Sequence, residues 1–158
     1  MDSGYQYLVG EYPKWLSILA ISILPGICEE FIFRGFIFGS LRNKYSLFIA
    51  FFWSSFIFGC FHLSFTRLFY TTLFGFLNAY FLYKSKSIYV SMIMHISNNM
   101  FSCIQLMYEK ELMKLMPFLY RENLVINELV IMAIVGIVLL LIGLFIVNIK
   151  SKDKVKAV

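Results

Sequence analysis

The chain has 158 residues, of which 60% are apolar, 19% aromatic and only 15% charged, with a formal net charge of +5. Soluble domains run at about 45–50% apolar and about 25% charged, so a mean hydropathy of +0.77 excludes a soluble domain and a disordered chain and points to a polytopic membrane protein. The 14 Lys and Arg fall mainly between apolar runs, where they set topology; a nucleic-acid partner is not expected.

A helix needs about 20 apolar residues to cross a bilayer, and five candidate spans follow in chain order: 15–39, 47–65, 68–83, 88–108 and 124–149. The first begins only near Trp15 and lacks a basic n-region with a small-residue cleavage site, so no signal-peptide pattern is visible. The third is short and calls for little tilt or for local thinning of the bilayer. The fifth carries no charge between Leu129 and Val147. Segment 109–123 mixes both signs of charge around Pro117 and reads as a solvated external connector; the basic tail 150–158 is expected to meet anionic lipid headgroups. The predicted architecture is all-α: a single membrane domain over 1–158, a polytopic helix bundle of about five transmembrane helices with residues 15–108 as its core.

Basic residues give an orientation. Arg42, Lys44, Lys84, Lys86, Lys150, Lys152, Lys154 and Lys156 lie on one side, eight against five for Lys14, Arg67, Lys110, Lys114 and Arg121. That bias predicts an outside N-terminus and a cytoplasmic C-terminus, in what reads as a bacterial plasma membrane. Cys28, Cys60 and Cys103 all sit inside apolar runs with no CxxC spacing, which predicts buried, inert thiols rather than disulfides.

Ionisable residues inside spans cost about 2.5–3.5 kcal/mol each on insertion scales, so the few present carry the information. Glu29, Glu30 and Arg34 lie in the first span, His62 late in the second, and His95 in the fourth, followed by Asn98 and Asn99. On a helix Glu30 and Arg34 share a face and pair, whereas Glu29 is turned about 100° away and is free to face something else. Pro25 and Gly26, just before, are expected to kink or open the helix. Phe58 lies one turn from His62 and would wall its imidazole. His95 and Asn99, also one turn apart, would both donate to a developing anion. A carboxylate, two imidazoles and an amide braced by an arginine suit water activation, with the shielded carboxylate as general base. Glu29, His62 and His95 would also serve as a zinc set, although HExxH is missing; no cofactor is expected, and zinc is the one candidate.

The ordered motifs Glu29-Glu30-xxx-Arg34, Phe58-xxx-His62 and His95-xxx-Asn99 resemble those of the CPBP family, the CAAX prenyl endopeptidases and bacteriocin-processing enzymes also called Abi. The resemblance covers roughly residues 15–108. It implies an intramembrane endopeptidase in which Glu29 activates water, His62 shares that water, His95 and Asn99 form the oxyanion site, and Glu30 and Arg34 support the site. It implies a membrane-associated or lipidated peptide as substrate. Family members usually carry further helices before the EE motif, whereas Glu29 has only 28 residues ahead of it here, so the chain reads as a short form of the core or a piece of it.

Straight-helix arithmetic raises one difficulty. At 1.5 Å per residue, Glu29 lies about 18 Å, His95 about 13 Å and His62 about 22 Å from the inner ends of their spans, and a common site requires these depths to converge. Two other classes of function compete with the enzyme: a non-catalytic membrane immunity or interaction protein, and a small transporter or proton relay, for which intramembrane Glu and His are also markers. The oligomeric state is not legible. The aromatics Phe51, Phe52, Trp53, Phe56, Phe69, Tyr70, Phe74 and Phe76 are expected to face lipid or pack, with an isoprenoid cradle as the alternative.

Overall fold

The computed structural model describes residues 3–115 and 117. The expected fifth span, 124–149, and the basic tail lie outside the described residues. The chain divides into two compact units, Met1–Tyr108 and Glu109–Val158. The described part of the first holds five helices: α1 (Ser3–Glu11), α2 (Lys14–Lys44), α3 (Leu47–Phe61), α4 (Phe65–Ser85) and α5 (Ile88–Met107). The described part of the second holds α6 (Glu109–Leu115).

Four expected spans are present as helices, three of them with shifted bounds, and two short helices, α1 and α6, are added. The second span stops at Phe61 instead of running to Phe65. There the His62 Nδ1 donates to the Phe58 carbonyl oxygen at 2.9 Å, closing the helix end with a side chain, and Leu63 takes a left-handed φ of 48°. The third span is not short: α4 has 21 residues, about 32 Å of helix, enough for a hydrocarbon core of about 30 Å without thinning. The beginning of the expected connector is helical, with Glu109 and Glu111 in the first turn of α6 and Lys114 in the last, an order that suits the helix dipole.

α2 is the one described helix that is long and apolar enough by composition alone to cross a membrane, with a mean hydropathy of 1.8; α3 is apolar but shorter. α4 and α5 have the length, but asparagines, serines and threonines dilute their hydropathy, and several of these are turned inward. Among the described residues ten polar or charged side chains are buried, including Glu30, Arg34, Asn78, Ser91 and His95, against eight apolar ones. Large apolar groups are on the outside instead: Phe36 is 73% and Phe69 76% exposed. A water-soluble fold places these classes the other way round; in lipid, polar groups gather inside because the bilayer core offers them no hydrogen bonds. Phe52, Trp53 and Phe56 share the outer surface, while Phe51 packs with Phe38, Ala50 and Ala79 in a small apolar cluster. Cys28 and Cys60 are exposed on that surface, against expectation, and Cys103 is buried.

Pro25 and Gly26 do not break α2. The helix widens into π turns at Leu19–Ile23 and again at Phe31–Phe38, with an α-helical stretch, Leu24–Glu30, between them. A π turn absorbs the hydrogen bond that a proline nitrogen cannot donate, and such turns recur at functional sites. Gly26 sets how α2 meets α5: a Cβ there would lie 3.0 Å from the backbone nitrogen of Ile96 and closer still to its side chain. Because the helices run antiparallel, this contact brings Glu29 level with His95 and Glu30 level with Ser91. Gly26→Ala is expected to cost about 1–3 kcal/mol of stability through forced separation of the two helices, measured as thermal unfolding of the detergent-solubilised protein. An unchanged midpoint would show that the two helices have room to spare.

Candidate active site

Glu30 is the hub of a buried network drawn from three helices. Its Oε1 lies 2.8 Å from His95 Nδ1 and 3.2 Å from Arg34 Nη1, and accepts from Asn78 Nδ2 at 3.3 Å. Its Oε2 accepts a short hydrogen bond from Ser91 Oγ. Three hydrogen bonds and one ion pair thus hold this carboxylate. Arg34 is held in turn by the Gly75 carbonyl at 3.1 Å, with its guanidinium 4.3 Å from the centre of the Phe58 ring. A Cβ on Gly75 would crowd both Phe58 and Arg34, so the backbone approaches there only because the residue is glycine.

Glu29 differs. Its side chain is part-buried, and its Oε2 is shielded from solvent with no hydrogen-bond partner among the described residues. His95 Nε2 lies 3.8 Å from that oxygen, too far for a hydrogen bond. Since an ionised carboxylate only accepts, His95 Nδ1 must donate to Glu30, which leaves Nε2 directed at Glu29. This changes the expected chemistry: the one N–H of a neutral His95 is engaged with Glu30, so His95 can donate to an oxyanion only as an imidazolium.

His62 sits on the turn after α3 and is part-buried. Its Nδ1–H is fixed on Phe58, so Nε2 remains for a ligand. The Phe58 ring meets both imidazoles edge-on, at 4.8 Å from His62 and 5.6 Å from His95, and thus walls two residues where one was expected. Asn99 is part-buried, and its Oδ1 accepts from Asn98 Nδ2 at 3.4 Å, leaving its own amide N–H groups for other acceptors.

Glu29, His62, His95 and Asn99 all line one cavity of about 610 Å³. The depth mismatch therefore closes. α2 continues to Lys44 instead of ending near Leu41, which puts Glu29 as many residues from its inner end as His62 is from Leu47, and the Gly26–Ile96 contact takes up the offset of His95.

Several residues of this site were not singled out from the sequence. Asn78 and Ser91 complete the shell of Glu30. Tyr70 donates to Asn98 Oδ1 at 2.7 Å, joining α4 to α5 across the cavity, and Ser102 donates to the Asn98 carbonyl. Tyr5 brings α1 to the cavity wall. A lone asparagine in the apolar run of the third span was a signal for Asn78, and Ser91 lies one turn before His95; neither residue belongs to a recognisable motif. Of the aromatics, Tyr70 and Phe74 line the cavity with Phe58 and Phe61.

Glu29, His62 and His95 do not form a metal-holding group: among the described residues, no three His, Cys, Asp or Glu side chains are gathered for one.

Apolar surfaces outside and ionisable groups gathered around a cavity define a helical membrane protein. Comparison supplies the family. Residues 11–101 match the type II CAAX prenyl endopeptidase Rce1-like family, and the chain belongs to it. Over 89 residues it is 39% identical to a Bacillus subtilis (strain 168) protein named "Putative membrane peptidase YdiL", a match covering 56% of this chain and 36% of that one. Over 118 residues it is 29% identical to UPF0177 protein YxdF of Lactococcus lactis subsp. lactis (strain IL1403), covering 74% of this chain and 65% of that one. The matches thus span less than two thirds of the length of either relative. No solved structure matches.

Proposed function

We propose that the chain is an intramembrane endopeptidase that hydrolyses a peptide bond in a lipidated or membrane-associated peptide, with Glu29 as the base. The observation that carries this reading is the difference between the two adjacent carboxylates: Glu30 accepts from three side chains and pairs with Arg34, while Glu29 Oε2 is shielded, without a hydrogen bond and beside a cavity. A water held between Glu29 and His62 Nε2 loses a proton to Glu29 as its oxygen adds to the scissile carbonyl. The developing oxyanion accepts from the Asn99 amide, and from His95 Nε2–H when that nitrogen carries a proton. The C–N bond then breaks as protonated Glu29 returns the proton to the leaving amine, which restores the carboxylate. Glu30, Arg34 and Phe58 hold the imidazoles in place. The basic-residue bias supports a cytoplasmic C-terminus and a plasma-membrane location.

A survey of new peptide termini in membranes carrying the wild-type protein or Glu29→Gln tests this reading. Termini found only with wild type are expected. Identical termini, with both proteins folded and equally abundant, would overturn it in favour of a non-catalytic interaction protein. As the imidazoles and Glu29 are not gathered as ligands, cleavage is also expected to survive dialysis against a strong chelator. Loss of cleavage that zinc restores would refute the metal-free route.

A further inference from the structure

A second cavity, of about 460 Å³, lies away from the candidate catalytic groups, between the C-terminal ends of α2 and α4. Arg42, Asn43, Tyr83 and Lys86 line it, Phe38 and Leu82 add apolar wall, and Arg34 reaches it from the buried network. No acidic side chain lines it, and neither Arg42 nor Lys86 has an ion-pair partner among the described residues. The Arg42 guanidinium sits 4.9 Å from the centre of the Tyr83 ring, and Lys86 is the left-handed C-cap of α4, with φ 54°. Arg34, whose Nη1 is buried and meets Glu30 as an ion pair without an aligned hydrogen bond, joins the cavity wall to the network. Two cations without acidic neighbours in the cavity, with the Arg34 guanidinium in its wall, recognise phosphate oxygens. Apolar wall at the ends of membrane helices suits glycerol and the start of an acyl chain, and basic pockets between membrane helices take anionic headgroups.

We propose that this cavity binds the phosphate headgroup of an anionic phospholipid. The proposal does not depend on the chain being a protease. The full chain, purified in a neutral detergent, is titrated calorimetrically with dioctanoyl phosphatidylglycerol, dioctanoyl phosphatidylcholine and inorganic phosphate. Saturable binding of phosphatidylglycerol is expected, about thirtyfold weaker in the Arg42→Gln, Lys86→Asn pair. It should be unchanged in the Lys44→Gln, Lys84→Gln pair, which removes the same charge from positions outside the cavity. Equal weakening in both pairs, or equal binding of phosphatidylcholine, overturns the site. Inorganic phosphate binding as tightly as phosphatidylglycerol overturns the lipid as its source and assigns the same oxygens to free phosphate. Should the Arg42 variant fail to fold, Lys86→Asn alone keeps the test, because asparagine tolerates the left-handed backbone. A loss of about fivefold is expected for it, and unchanged affinity would overturn the proposal.

Discussion

Glu29→Gln is expected to lower peptide hydrolysis by about 10²–10⁴-fold, the usual worth of a positioned general base, and to leave folding nearly untouched. The reason is geometric. Glu29 Oε2 has no hydrogen bond to lose, and an amide of the same shape fits the same space. Rate and stability should therefore separate: kcat falls while the thermal midpoint moves by less than about 1 kcal/mol equivalent. Glu30→Gln gives the opposite pattern. It weakens a buried carboxylate that holds Arg34, His95, Asn78 and Ser91, so its first effect is on the midpoint. Single-turnover cleavage and thermal unfolding, run on both variants, distinguish the two roles. If Glu29→Gln cleaved at the wild-type rate, the base would have to be another group.

Arg34→Met should cost about 3–5 kcal/mol of stability. Both partners of the Arg34–Glu30 pair are 1% exposed or less, and removing one member of a buried pair leaves the other uncompensated. The loss goes beyond charge, since the guanidinium also donates to Gly75 and covers the Phe58 ring, which in turn walls both imidazoles. The Glu30→Gln, Arg34→Met double variant should recover about half of the loss, because it removes the orphaned charge but not the lost packing. Thermal unfolding in detergent measures both variants. If the single and double variants were equally unstable, the charge pair would contribute nothing and packing would account for the whole effect.

The legible part of the fold came from composition and periodicity. A bilayer sets the length of an apolar helix, so α2, α4 and α5 could be placed near their observed bounds. The end of α3 could not, since it depends on the His62 ring turning back onto Phe58, and no hydropathy trace records that contact. α1 was not predicted at all. Its nine residues are too few to span, and it is tied in through the Leu8 carbonyl, which accepts from Ser17 Oγ at 2.9 Å.

In the site, i to i+4 spacing foretold the ion pair of Glu30 with Arg34, and the turn between neighbouring residues foretold that Glu29 would face elsewhere. These are properties of a single helix, which local sequence governs. Which nitrogen of His95 faces which carboxylate depends on three helices at once: α2 supplies both acids, α5 the imidazole, and α4, through Asn78, a further donor to Glu30. The same holds for Gly26, whose role is visible only once Ile96 is packed against it. Sequence by itself thus determined the membrane class, the helical character and the identity of the ionisable residues, because each follows from the cost of exposing polar groups to lipid or from the pitch of one helix. Only the tertiary structure decided which carboxylate is hydrogen-bonded and which is not, because the donors come from helices far apart in the chain.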